Sequence, residues 1–163
     1  MTGQFSDFLA ANAARVAQLL ERQVETETIA DTGATGRGPT ALVNAVLLAL
    51  TAEDSRPLIT YYRLTEPAGL TDRLWGALRD LGSLRQAAMS VVEAAGLEAD
   101  TALQLAVAGA DDIDSVARRL ALAGAQTLES RLEASTSAST TRGTSMAITM
   151  HELRRPLTIL NSY

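Results

Sequence analysis

The chain has no cysteine and no lysine, a single histidine, and few aromatics: two phenylalanines, three tyrosines and one tryptophan in 163 residues. Without cysteine, neither a disulfide framework nor a thiolate metal site can form, which suits a reducing compartment. All fourteen basic residues are arginine, a pattern that fits base-composition bias in the source genome rather than a chemical requirement. The net charge of −5 argues against nucleic acid as a partner, because phosphate binding needs a basic surface. No segment approaches the roughly 20 uninterrupted apolar residues of a membrane span. Met1 to Asp7 is short and polar, without the basic start and apolar run of a secretory signal. No membrane partner is therefore expected.

What is present is alanine, leucine, arginine and glutamate. Apolar residues make up 47% of the chain, enough for a globular core, and the mixture favours helix. Strand alternation, hairpin signals and internal repeats are missing. The expected fold class is all-α, a helical domain of about five or six helices. It is compatible with a globin-like arrangement, and it loosely resembles the helical non-haem sensor domains of bacterial stress signalling. PAS and GAF sensors need a sheet pattern that this sequence lacks.

Along the chain, Phe5, Phe8, Leu9, Ala13, Val16, Leu19 and Leu20 recur at spacings of three and four, predicting a helix from about Ser6 to Ile29. Asp31 to Pro39 reads as a glycine-rich loop. Its Gly33, Gly36 and Gly38 have neither the preceding strand nor the following lysine of a phosphate-binding loop. Pro39 fits the first turn of a second, well-buried helix carrying Leu42, Val43, Val46, Leu47 and Leu50, which Asp54–Pro57 ends. Pro57 to Leu64 is read as a short helix, although Leu58 to Tyr62 has strand propensity. A long helix capped by Thr71 or Asp72 carries Leu74, Trp75, Leu78, Leu81, Leu84, Ala88, Val91 and Val92 inward and stops at Gly96. Another helix runs from Asp100 or Thr101 to about Gly109. Asp111, Asp112 and Asp114 then open a further one, with Ile113, Val116, Leu120, Ala123, Leu128 and Leu132 as its inward stripe. Acid at a helix start accounts for the three aspartates more simply than a metal does, so no metal site is assigned. Arg118 and Arg119 read as a solvated face. Tyr61, Tyr62, Arg63 and Trp75 could line a ligand pocket, but core aromatics are the simpler reading.

The expected organisation is a helical input domain over residues 1–132, a Ser/Thr-rich joint over 133–145, and the start of a dimerisation helix over 146–163. In that last segment Met146, Met150, Leu153, Leu157 and Leu160 are spaced four, three, four, three, as in a helix-dimer seam. The only histidine, His151, follows the seam residue Met150 and so lies beside the seam rather than in it.

The string His151-Glu-Leu-Arg-Arg-Pro156-Leu-Thr-Ile-Leu-Asn-Ser-Tyr163 resembles the H-box of two-component sensor histidine kinases, usually His-Glu-Leu-Arg-Thr-Pro-Leu-Thr before an apolar helix. The resemblance covers about a tenth of the chain. It implies that His151 is the phosphoacceptor and that Glu152 orients it or acts as general base. Pro156 would bend the helix one turn further on. The chemistry is sound: a neutral imidazole with an ordinary pKa near ~6.5 is a good nucleophile at neutral pH. One ring nitrogen attacks while the other keeps its proton.

The family usually has threonine or asparagine where this chain has Arg155, a position associated with placing water for dephosphorylation of the partner. Arginine cannot do this in the same way, so the resemblance does not carry phosphatase activity over. Met150 replaces the usual serine or asparagine.

The resemblance further implies a cytoplasmic protein, a homodimer, a response regulator as partner, and an unidentified signal ligand or protein. ATP and Mg²⁺ would be handled by a nucleotide-binding domain that these 163 residues do not contain, so no cofactor is expected on this chain and no kinase activity from it alone. Haem ligation is not expected, because the one histidine belongs to the H-box. A reading of another class stands beside this one: a non-enzymatic helical interaction module that binds a regulatory partner and uses its last helix only to dimerise.

Overall fold

The computed structural model describes the backbone of residues 3–26, 38–66 and 68–160, and the side chains of residues 3–23, 38–66 and 68–138. Six helices and no strand are found among the described residues: α1 (Gln4–Ala11), α2 (Ala13–Thr26), α3 (Pro39–Thr51), α4 (Arg56–Tyr61), α5 (Leu70–Ala94) and α6 (Ala99–Leu160). The all-α expectation holds. None of the described helices is long and apolar enough to cross a membrane. The chain forms two compact units, Met1–Ala125 and Gln126–Tyr163.

In the first unit α2 packs against α3 and α5, α4 against α3, and α1 against α3. The core is mostly aliphatic, with Phe5, Tyr61 and Tyr62 as its aromatic members. Leu81, Leu84, Ala88 and Val91 of α5 repeat at three and four residues and are fully buried, as are Val16 of α2, Val46 of α3, and Val116 and Leu120 of α6. The first part of α6 lies antiparallel to α5. Gly124 meets Leu74, Asp114 pairs with Arg85 at 3.3 Å, and Gly109 meets Met89 and Phe5 of α1.

Local signals decide most of the boundaries. Pro39 is the first residue of α3, where its missing N–H costs nothing. Pro57 lies in the first turn of α4, so the strand-prone Leu58 to Tyr62 becomes helix. Gly96, with φ +63°, follows the C-cap of α5, a conformation that favours glycine. Two other helix ends use the same left-handed turn without glycine. Glu53 (φ +50°) lets the Asp54 N–H reach the Ala49 carbonyl at 3.2 Å. Arg63 (φ +53°) lets the Leu64 N–H reach the Ile59 carbonyl at 2.9 Å.

Several elements differ from the periodicity reading. The first predicted helix is two. At Asn12 φ widens to −113°, and the side-chain amide donates to the Phe8 carbonyl at 2.9 Å, diverting the ladder. The predicted break near Gly109 is absent, and α6 runs unbroken through it. Glycine there serves close packing rather than chain reversal.

Trp75 is 65% exposed rather than inward. It adjoins Leu74, which takes the place against Gly124. On α6 the inward stripe ends with Leu120. Leu128 is half-buried and Leu132 is 70% exposed.

Gly82 is the one weak point predicted within α5. It is exposed, and a Cβ there would meet nothing within 4 Å. Gly82→Ala is expected to stabilise the chain by about 0.5–1 kcal/mol, the ordinary helix-propensity difference, read as a higher midpoint in urea with an unchanged slope.

Candidate functional site

His151, Glu152, Arg155 and Pro156 all lie on the backbone of α6 in the second unit, as do Met150, Leu153 and Leu157. The helix continues on both sides of Pro156 as far as Leu160. His151, the adjacent carboxylate and the arginine four residues on therefore occupy one regular helical stretch. Their side chains lie outside the described residues. So do residues 27–37, which hold the end of the first predicted helix and most of the glycine-rich loop. The predicted joint, residues 133–145, is helical throughout.

The first unit holds a second candidate. Tyr61 and Tyr62 follow one another at the end of α4 with their rings edge to face, centroids 4.7 Å apart at 75°. Both are buried. Tyr62 donates its hydroxyl to the Asp80 carboxylate of α5 at 2.8 Å. Burial, and then the neighbouring carboxylate, push the Tyr62 phenol far above its ordinary range. Burial also raises Asp80, against the opposing effects of the Tyr62 hydrogen bond and Arg79.

The residues weighed as a ligand pocket do not converge. Tyr62 is in the core, Arg63 is exposed and pairs with Glu66 at 2.7 Å, and Trp75 is on the surface. Tyr61 lines an open groove of about 890 Å³ between α3 and α4, walled also by Ala41, Ala45, Leu48, Pro57 and Thr60. Asp54 and Arg56, an ion pair, stand in the same groove. The Arg56 backbone N–H, then its guanidinium, hold Asp54 below the usual carboxylate range.

The sequence places Arg119 on a solvated face. It instead reaches from α6 to the Ala49 carbonyl at the end of α3 at 3.4 Å. The neighbouring Arg118 stays exposed beside its own helix. Sequence reasoning missed this tie, since periodicity alone does not say which of two adjacent arginines faces a neighbouring helix end. Asp114 is paired with Arg85, and burial, then Asp111, raise Asp112. Among the described residues no group of acidic or histidine side chains could hold a metal ion.

Comparison with protein-family models, with curated proteins and with solved structures found no match to this chain.

Proposed function

We propose that this chain is the signal-input and dimerisation region of a cytoplasmic two-component sensor histidine kinase, with His151 as its autophosphorylation site. The observation that carries the reading is the H-box string from His151 to Tyr163, placed on a stretch that is helical through Leu160. The helical unit Met1–Ala125 supplies the input, and α6 is the one element that passes from it into the H-box.

In this reading one imidazole nitrogen of His151 attacks the γ-phosphorus of ATP. A P–N bond forms, the bond to the bridging oxygen breaks, and ADP leaves with that electron pair. Glu152 takes up the imidazole proton, restoring neutrality. ATP and Mg²⁺ are bound by a catalytic domain outside these residues. A response regulator then receives the phosphoryl group. With arginine at 155, the same helix is a poor phosphatase.

The test uses the gene product that carries this chain together with its nucleotide-binding domain. Incubation with ATP and Mg²⁺ is expected to give acid-labile, alkali-stable phosphate on the wild type and none on His151→Ala. No labelling of either protein would leave the interaction-module reading in its place, and equal labelling of the two would overturn His151 as the site.

A further inference from the structure

The groove between α3 and α4 has one apolar length and one charged end. Ala41, Ala45 and Leu48 follow one another at four and three residues on α3, so they share a face. Opposite them stand Pro57 and Tyr61, one turn apart on α4. The two alanines leave the space, and Leu48 stays 58% exposed within it. The tyrosine wall is fixed: its ring lies edge to face on Tyr62, which is tied to Asp80 of α5. A wall already in place costs a ligand little to order. The volume, about 890 Å³, falls in the range of small-molecule sites, roughly 300–1,000 Å³.

Of the residues lining the groove only Asp54 and Arg56 carry charge, and they present themselves differently to a ligand. The Asp54 side chain is 27% exposed and both its oxygens are engaged. One accepts the Arg56 backbone N–H at 2.9 Å, the other the Arg56 Nε–H. The Arg56 side chain is 86% exposed and spends one of its five N–H donors on that pair. Asp54 thus sets the plane of the guanidinium and leaves its outer edge open to the groove. A planar fork held in this way matches a carboxylate through two parallel hydrogen bonds. A slot between a row of alanines and two ring side chains suits a flat apolar body.

We propose that the α3–α4 groove binds a small carboxylic acid with a flat apolar body, its carboxylate on the Arg56 guanidinium and its body against the Pro57–Tyr61 wall. Asp54 is the positioning residue. The Asp54 N–H and the Arg119 guanidinium share the Ala49 carbonyl, at 3.2 and 3.4 Å, so the charged end of the groove is joined to α6. This goes beyond the kinase reading: it gives the unit Met1–Ala125 a ligand class, and it does not depend on phosphorylation of His151.

Calorimetric titration of the whole chain with 2-naphthoate and with its neutral analogue 2-naphthamide tests the site. The acid is expected to bind the wild type about five-fold tighter than the amide, or more, through the charge-assisted pair. Arg56→Gln, at an exposed position, should bring the acid down to the level of the amide and leave the amide unchanged. Ala41→Leu fills the groove and should weaken both. Arg15→Gln, in the separate groove between α2 and α5, should change neither. Acid and amide binding the wild type alike would overturn the carboxylate assignment. Loss of acid binding on Arg15→Gln but not on Arg56→Gln would overturn the α3–α4 site. Binding of neither compound would overturn the proposal and leave the groove to a polypeptide partner.

Discussion

Gly109→Ala is expected to destabilise the chain by about 2 kcal/mol, although alanine is the better helix former. A Cβ at this position would lie 2.5 and 2.7 Å from two carbons of the Phe5 ring and 3.0 Å from the Met89 methyl. The methionine end can move; the ring cannot move cheaply, because Phe5 is completely buried. Overpacking costs roughly 1–3 kcal/mol, a contact this short with a buried ring belongs at the top of that range, and the gain in helix propensity returns about 1 kcal/mol at most. The clash is the larger effect. For a chain of this length the melting midpoint should fall by roughly 4–8 °C.

Two comparisons isolate the cause. Gly124→Ala presses on the methyl groups of Leu74 at 2.8 and 3.2 Å. These are the ends of a half-buried flexible side chain, so its cost should be well under that at 109. Phe5→Leu should cost less in the Gly109→Ala background than in the wild type, by more than about 0.5 kcal/mol, because the two sites couple directly. Additive costs would show that the ring contact is not the reason for the glycine.

Tyr62→Phe is expected to destabilise by about 1–2 kcal/mol at neutral pH. The phenol is buried and donates its hydrogen bond to Asp80. Removing the donor leaves a partly desolvated carboxylate without that bond, and the cost of an unpaired group outweighs the modest net value of the bond. The lower part of the usual range applies because Asp80 remains partly exposed.

The pH dependence carries a definite sign. Burial raises the folded-state pKa of Asp80 above its ordinary 3.8. Between the unfolded and folded values the folded chain holds the extra proton, so this group's contribution to stability falls as pH rises through that window and is constant above it. The Tyr62 bond favours the ionised form. Tyr62→Phe therefore raises the Asp80 pKa further, and its cost should be larger at pH 7 than at pH 4. Asp80→Asn keeps an acceptor for Tyr62 and removes the titration, so it should be close to neutral at pH 4 and stabilising at pH 7. Urea midpoints of the three proteins at the two pH values decide the matter. A Tyr62→Phe cost independent of pH would mean that the lost hydroxyl acts through packing alone.

Much of the fold was legible from particular residues. Pro39, Pro57 and Gly96 act within a turn of their own positions, so the helix boundaries they set are carried by local chemistry. The repeat of Leu81, Leu84, Ala88 and Val91 likewise places a core face without knowledge of what covers it. The resemblance to an H-box was legible because a run of consecutive residue types is itself the signal. What failed was of another kind. Trp75 has the same apolar character as Leu74 and sits one residue away, yet only Leu74 finds a cavity opposite, made by a glycine fifty residues on. Asn12 breaks a helix that its apolar spacing would continue, because its amide competes for a backbone carbonyl.

By itself the sequence determined that the chain is helical, that disulfides and thiolate metal sites have no place in it, and that its last helix carries a histidine-centred string and a dimer-like repeat. These depend on composition, on residues a few positions apart, or on the chain's own order. The tertiary structure alone decided that Gly109 is a contact point rather than a break, that Arg119 rather than Arg118 ties α6 to the end of α3, and that Tyr62 spends its hydroxyl on Asp80. Each of these joins residues from eighteen to more than a hundred positions apart. Such pairs meet only after helices have packed, and packing depends on which faces lie opposite one another, a quantity that no single helix's periodicity contains.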